Sequence, residues 1–273
     1  MLIKIGGYDF TEVWDGVLYK KLAHYPIVSE WEKRTLAEFA LYEAQHGRTC
    51  SLECEDGRVL AEIQAVLTMP EKYLQAPLPD KICECTACRQ GGCLTGWVCH
   101  TASPENAVKI FQSGSLLSAV KARNLPAEVL MAEDRNAASD PADYFHYVML
   151  SWGNCQAGDR LVTERRLGRF PTEKDLAEDL TPGVRFYFRY ERLSKHPGVA
   201  FDGVLPMKIR DEIVLADWAE YIVIPACLKE EILLHIPDGL QGRILFADSS
   251  GLDIWAWSEK VYQMIEREWE ETV

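Results

Sequence analysis

Residues 97–117, WVCHTASPENAVKIFQSGSLL, decide the predicted fold because they join a strand to a helix and the helix to a second strand. The opening WVCHTAS predicts the short first strand. Ser103 then suits a helix N-cap, Pro104 suits the first helical position, and Gly114 follows the end of the helix. The predicted apolar face of this helix consists of Ala107, Ile110 and Phe111. This strand–helix–strand order favours an α/β architecture.

The C-terminal half predicts further strands and helices. DYFHYVMLSW, from Asp143 onward, is the main apolar segment of a polar central region. VRFYFRY alternates as a strand does, with Val184, Phe186 and Phe188 on one face. The other predicted elements are strands in EIVLADW and YIVIP, a hairpin in ILFADSSGLDIWAW, a helix in RLGRFPTEKDLAEDL entered near residues 171–172, and a last helix in EKVYQMIEREWEE.

A small α/β module is predicted at the N-terminal end. IKIGGYDF and GVLYKKL alternate well enough for a β-hairpin with Asp15 and Gly16 at the turn. Ser29 can cap a helix that ends before Gly47, and the proline-punctuated residues 69–79 predict a linker. The predicted organisation is an α/β (α+β) protein with an N-terminal module at 1–79, a cysteine-rich connector at 80–99 and a larger domain at 97–273.

Composition and charge narrow the function classes. The 273 residues carry a net charge of -13, so a nonspecific nucleic-acid coat is disfavoured and any nucleic-acid contact needs a local basic surface. The opening MLIKIGGYDF lacks the pattern of a secretory signal, and no uncharged run is long enough to span a bilayer. We therefore expect a cytoplasmic protein without a membrane partner, and we expect its nine cysteines to be reduced thiols or metal ligands.

The segment CECTACRQGGCLTGWVCH, residues 83–100, is a candidate zinc site. Cys85 and Cys88 have the C-x-x-C spacing with which two thiolates of one tight turn bind the same Zn²⁺. The adjoining glycines at 91 and 92 allow the positive φ that such a turn needs. The candidate ligands are Cys83, Cys85, Cys88, Cys93 and Cys99. The alternative is that several of these cysteines are ordinary buried or exposed thiols that bind no metal.

Residues 100–119, HTASPENAVKIFQSGSLLSA, resemble the opening of the ADP-ribosyltransferase fold. The matching residues are His100, Thr101, Ser103, Asn106, Ile110 and Gly114. Residues 211–225, DEIVLADWAEYIVIP, look like the closing strand pair of poly-ADP-ribose polymerases and of DarT-type DNA ADP-ribosyltransferases, with Glu212 at the place of the catalytic glutamate. DYFHYVMLSW is similar to the aromatic strand of the DarT-type enzymes, and Tyr147 aligns with its NAD-contacting region.

This resemblance, over roughly residues 97 to 235, implies a split β-sheet fold and NAD as substrate. It implies that Glu212 is catalytic, and that NAD is contacted by His100, Thr101, Ser103, Asn106 and Tyr147. DarT-type enzymes carry an arginine soon after the aromatic strand, whereas this chain has WGNCQ at 152–156. Arg160 is the nearest cation, and it joins Arg123 as a candidate for the pyrophosphate. A role as a toxin follows from the DarT-type likeness alone.

The chemistry of ADP-ribose transfer requires these residue types independently of the resemblance. Breaking the nicotinamide–ribose bond develops oxocarbenium character, which a carboxylate such as Glu212 stabilises. An imidazole such as His100 can bind a ribose hydroxyl, and an aromatic ring such as Tyr147 can stack on nicotinamide. The acceptor would be a nucleic acid or a protein.

Each assignment has an alternative. His100 follows Cys99 and could bind zinc instead, Glu220 also precedes an apolar strand, and Tyr147 could be a core residue. One alternative function is a noncatalytic, zinc-containing module that binds nucleic acid or protein. Another is an interaction protein that uses its acidic surface and tryptophan-rich end to bind a basic partner.

Overall fold

A computed structural model describes residues 1–82, 92–133, 141–178 and 180–272 of this chain. Helices and strands occur together in mixed sheets, which confirms the predicted α/β class. The strands are β1 (Leu2–Gly6), β2 (Glu12–Trp14), β3 (Val17–Lys21), β4 (Ser51–Cys54), β5 (Lys81–Ile82), β6 (Cys93–Leu94), β7 (Trp97–Ala102), β8 (Ser115–Leu117), β9 (Tyr147–Trp152), β10 (Val184–Arg189), β11 (Val199–Ala200), β12 (Met207–Arg210), β13 (Glu212–Val214), β14 (Tyr221–Pro225) and β15 (Ile244–Ala247). The helices are α1 (Glu30–Gln45), α2 (Gly57–Thr68), α3 (Pro104–Ser113), α4 (Ala119–Arg123), α5 (Ala127–Glu133), α6 (Ala157–Leu167), α7 (Tyr190–Leu193), α8 (Leu215–Trp218), α9 (Lys229–Leu233) and α10 (Ile254–Thr272).

The chain divides into two compact units, each assembled from separate segments. The first unit consists of Met1–Thr86, Leu117–Met149 and His196–Glu212. The second unit consists of Ala87–Leu116, Leu150–Lys195 and Ile213–Val273. Within the described parts of the chain, no helix is long and apolar enough to cross a membrane.

The N-terminal part of the first unit is a four-stranded sheet in the order β2-β3-β1-β4. The predicted turn at Asp15 and Gly16 is confirmed, since both residues have positive φ. It joins β3 to β2, however, whereas β1 runs parallel to β3. The predicted pairing of the two N-terminal stretches as one hairpin is therefore wrong, because a two-residue turn can only join β3 to the strand that directly precedes it.

Helix α1 covers this sheet and begins where the sequence predicts. The Ser29 hydroxyl accepts from the Glu32 amide and the Glu32 carboxylate accepts from the Ser29 amide, which completes a capping box. Buried Leu36 and Phe39 pack with the sheet residues of the same core. Gly203 approaches α1 so closely that an added Cβ would lie 1.9 Å from the Thr35 carbonyl oxygen. Glycine is therefore required at that position.

The predicted linker packs within the first unit. Residues 70–73 form a 3-10 helix, and Tyr73 and Leu74 pack against the core of α1 and the sheet. The Arg34 guanidinium donates to the Ala76 carbonyl oxygen at 2.7 Å. The predicted boundary near residue 79 stays a prediction, since the two units do not follow the chain as consecutive domains.

The second unit has the strand order β9-β7-β10-β14-β15, in which β9 contributes residues 150–152. β7 is antiparallel to both its neighbours, and β14 is parallel to β15. The predicted strand, Ser103 cap, helix α3 and left-handed Gly114 are confirmed. Trp97, Tyr187 and Trp257 fill the core on which α10 packs.

A fully buried ion pair lies in the second unit. The Arg185 side chain of β10 donates to the Asp159 carboxylate of α6 through Nε at 2.8 Å and also through Nη2. The Gly183 amide donates to the same carboxylate at 2.8 Å. Arg185 also donates to Ser258 at 2.9 Å and to Tyr187 at 3.2 Å. Each buried charge therefore has hydrogen-bond partners, as burial requires.

Three predicted elements of the C-terminal half are wrong. Residues 173–178 form turns where a helix is predicted. The Leu176 carbonyl oxygen accepts from the distant Ile254 amide at 2.8 Å and not from a following turn of helix. β15 does not return as a hairpin, because the Asp253 carboxylate accepts from the first amides of α10 and starts that helix. The predicted strand EIVLADW extends only to Val214, after which α8 begins.

Candidate functional site

The predicted site residues lie in both units. Tyr147, Glu212 and Arg123 belong to the first unit, whereas His100, Thr101, Ser103, Asn106 and Arg160 belong to the second.

A backbone hydrogen bond in the first unit joins the residues that directly precede Tyr147 and Glu212. The Asp211 amide donates to the His146 carbonyl oxygen at 2.9 Å. Tyr147 directly follows His146 and begins β9, and Glu212 directly follows Asp211 and begins β13. The Asp211 carbonyl oxygen in turn accepts from the Ser118 amide at 2.7 Å. Asp211 has φ 66, so a left-handed residue turns the chain just before Glu212.

The carboxylate of Glu212 is accessible. It forms an ion pair with the Lys121 ammonium at 3.0 Å, and the two side chains are 45% and 44% exposed. Solvent screens such a pair, so it adds little stability and can be exchanged for a ligand. The rival Glu220 lies in the second unit, where its less exposed carboxylate binds the Arg192 guanidinium at 2.5 Å.

Three tyrosines surround a buried ammonium beside this point. The Lys208 Nζ atom lies 3.4 Å from the ring centre of Tyr144, 3.8 Å from that of Tyr42 and 5.1 Å from that of Tyr147. Lys208 is fully buried and forms an ion pair with the equally buried Asp202 at 2.9 Å. The geometry of this ion pair does not satisfy a hydrogen bond. Cation–π attraction and this ion pair together fix the ring of Tyr147 in the first unit.

Asp143 connects the tyrosine cluster to a cavity. Its carboxylate accepts from Arg48 at 2.6 Å and from the Tyr42 hydroxyl, and Nε2 of His46 lies 3.6 Å away. Burial alone would raise the pKa of Asp143, but the hydrogen bonds from Arg48 and Tyr42 outweigh it and hold the pKa below its usual value. Burial and the Asp143 charge raise the pKa of Tyr42. Asp143 is therefore ionised and Tyr42 is neutral near pH 7.

A cavity of about 300 Å³ opens at this cluster in the first unit. Its lining residues are His46, Ala127, Glu128, Ala142, Asp143, His146, Tyr147 and Arg210. His46 is directed away from a ligand, because Nδ1 donates to the Tyr42 carbonyl oxygen at 2.8 Å and Nε2 lies 3.6 Å from Asp143. The ring of His146 makes no hydrogen bond within the described part of the chain. His146 and Arg210 are therefore the donors of this cavity that a ligand can use.

No local sequence pattern predicts this cluster of tyrosines around Lys208 and Asp143. Tyr42 and Asp143 are 101 positions apart, and no local spacing signals their contact. An aromatic-rich segment next to an acidic residue, as in DYFHY at 143–147, was the only available signal.

The second unit places the other predicted NAD contacts around β7. His100 lies opposite Phe186 of β10 and is partly buried. The Thr101 hydroxyl is buried without a hydrogen-bond partner among the described residues, and a Cβ at Gly158 would lie 2.3 Å from it. The Ser103 hydroxyl accepts from the Asn106 amide at 3.3 Å and so caps α3. The side chains of Asn106 and Arg160 are exposed, as is that of Arg123 in the first unit.

The predicted zinc ligands are only partly described. Cys83, Cys85 and Cys88 lie outside the described residues. Cys93 and Cys99 are buried, and the Cys99 sulfur contacts the Ser151 hydroxyl at 3.4 Å. Burial raises the pKa of Cys99 to about 11, so its thiol keeps its proton. No three His, Cys, Asp or Glu side chains of the described residues form a metal-binding group, and zinc stays a prediction.

Comparison with known proteins gives no family assignment. No family model, no curated protein and no solved structure matches this chain.

Proposed function

We propose that this protein is an NAD-dependent ADP-ribosyltransferase in which Glu212 is the catalytic carboxylate. One observation supports this proposal most strongly. The hydrogen bond from the Asp211 amide to the His146 carbonyl oxygen brings together the chain positions of Tyr147 and Glu212. The sequence resemblance singles out these same two residues, which are 65 positions apart in the chain.

The exposure of Glu212 also supports this role. Transfer breaks the bond between nicotinamide and C1′ of the ribose, and the electron pair leaves with nicotinamide. The acceptor forms a new bond to C1′ and loses a proton. Positive charge builds on the ribose during this exchange, and a carboxylate on the ribose hydroxyls stabilises it more than it stabilises bound NAD. Glu212 can take this role because its ion pair with Lys121 is exposed to solvent.

The fixed ring of Tyr147 fits the role of nicotinamide contact. Its neighbours Tyr42, Tyr144 and Lys208 hold it from within the first unit, so little side-chain freedom is lost when a ligand packs against it. The roles that the resemblance gives to His100, Thr101, Ser103, Asn106, Arg123 and Arg160 remain predictions.

Transfer from labelled NAD tests the proposal and identifies the acceptor class. Single-stranded DNA, duplex DNA, RNA and a protein mixture are offered separately to the wild type, Glu212→Gln and Glu220→Gln. We expect one acceptor class to be labelled by the wild type and by Glu220→Gln, with labelling lost in Glu212→Gln. Thermal shift with NAD should be the same in all three proteins. Full labelling by Glu212→Gln would remove this residue from the mechanism, and a wild type without NAD binding or labelling would refute the function.

A further inference from the structure

We infer that the cavity of the first unit binds the phosphate of a nucleoside monophosphate, free or as the 5′ end of a strand, with Arg210 and His146 as its donors. Calling that ligand the acceptor of ADP-ribose rests on the proposed function. The binding itself does not.

Among the described residues that line the cavity, Arg210 is the one arginine or lysine. The Asp143 carboxylate binds Arg48 at 2.6 Å, and Arg48 also binds Glu43 at 2.7 Å, so this arginine is occupied. Arg210, in contrast, is 60% exposed, and its ion pair among the described residues is a distant contact of 3.9 Å with Asp211. Its planar guanidinium can therefore turn to a phosphate and bind two of its oxygens.

The ring of His146 supplies a second donor on the same wall. Its backbone is fixed by the Asp211 amide, and the ring has no hydrogen bond among the described residues. His46 adds no donor, because its two ring nitrogens are directed at Tyr42 and Asp143. One arginine and one imidazole suit a single phosphate group.

Size and net charge restrict the rest of the ligand. A volume of about 300 Å³ is at the small end of ligand pockets and is large enough for one nucleotide unit. The chain's net charge of -13 repels a polyphosphate backbone, so a long tract of phosphate contacts is disfavoured. The exposed Glu128 carboxylate can accept from sugar hydroxyls or a base amine.

The position of Arg210 links the cavity to the proposed chemistry. Arg210 ends β12 and is followed by Asp211 and Glu212. A phosphate on Arg210 therefore lies two residues along the chain from the proposed catalytic carboxylate, in a cavity whose wall includes Tyr147. This arrangement favours a phosphate-bearing acceptor over a protein side chain.

Calorimetric titration with AMP, adenosine and inorganic phosphate tests the inference. We expect the wild type to bind AMP at least tenfold more tightly than adenosine. Arg210→Gln and His146→Gln should each weaken AMP binding, by about tenfold for the arginine, since charge-assisted bonds of this kind are strong. Arg58→Gln is the matched control, because Arg58 is an 86% exposed arginine of the same unit away from the cavity. It should bind AMP as the wild type does.

The outcomes separate this inference from the proposed function. Equal affinity for AMP and adenosine, no saturable AMP binding, or equal AMP affinity in Arg210→Gln and Arg58→Gln would each overturn the phosphate site. Oligonucleotides with a 5′-phosphate or a 5′-hydroxyl then distinguish a strand end from a free nucleotide. Release of nicotinamide from NAD, measured on the same samples, tests the proposed function alone. Nicotinamide release without preferential binding of AMP over adenosine would support the proposed function and overturn the phosphate site. AMP binding without nicotinamide release would support the phosphate site and overturn the proposed function.

Discussion

Breaking the buried ion pair of the second unit should destabilise the protein severely. Arg185→Met removes the guanidinium that donates twice to Asp159 and once each to Ser258 and Tyr187. The Asp159 carboxylate then keeps only the Gly183 amide, although neither side chain of the pair is exposed. Removal of one partner from such a pair costs about 3–5 kcal/mol, because the remaining charge is buried without compensation.

Urea unfolding of the wild type, Arg185→Met and the double variant Asp159→Leu/Arg185→Met measures this cost. The single variant should unfold at a much lower urea concentration with an unchanged slope. The double variant should recover much of the loss, since an apolar pair no longer leaves a buried charge. Arg58→Met, at an exposed arginine, should stay within about 0.5 kcal/mol of the wild type. A loss below about 1 kcal/mol in Arg185→Met would show that Asp159 is not left as an uncompensated buried charge.

Two further predictions concern Asp143 and the cysteines. The folded-state pKa of Asp143 is lowered, so its contribution to stability is present above the unfolded pKa of about 4 and is lost as the pH falls through the folded value. Asp143→Asn should therefore reduce the unfolding free energy at pH 7 more than at pH 3; an equal reduction at both values would contradict this. Iodoacetamide at pH 7.5 should modify the exposed Cys227 of the native protein and spare Cys99, because burial raises the pKa of Cys99 to about 11. Equal modification of the two cysteines in peptide mass spectra would show that Cys99 is not buried.

Local sequence signals predict the elements that are stabilised locally. The Ser29 and Ser103 caps, the left-handed Gly114 and the turn at Asp15–Gly16 all follow from the backbone preferences of single residues. The same signals fail where a distant backbone group or a competing side chain determines the local conformation. The Leu176 carbonyl oxygen accepts from the distant Ile254 amide where residues 173–178 form turns, and the Asp253 cap converts a predicted hairpin strand into the start of α10.

The candidate site shows the same division. The resemblance to ADP-ribosyltransferases singles out Tyr147 and Glu212 from the order of residues in the sequence. The hydrogen bond between the preceding residues, His146 and Asp211, depends on how distant parts of the chain pack. Patterns in a single sequence do not encode that packing. The roles of Lys208 and Arg210 were also hidden, since only the fold buries the first among tyrosines and leaves the second at a cavity.

Release of nicotinamide from NAD is the most direct test of the account. Its rate in a single turnover should fall by about 10²–10³-fold in Glu212→Gln, the loss typical of removing a group that stabilises transition-state charge. Glu220→Gln, whose glutamate is tied to Arg192 in the second unit, should release nicotinamide at the wild-type rate. Equal rates in the wild type and in Glu212→Gln, with NAD bound equally, would contradict the assignment of Glu212 as the catalytic carboxylate.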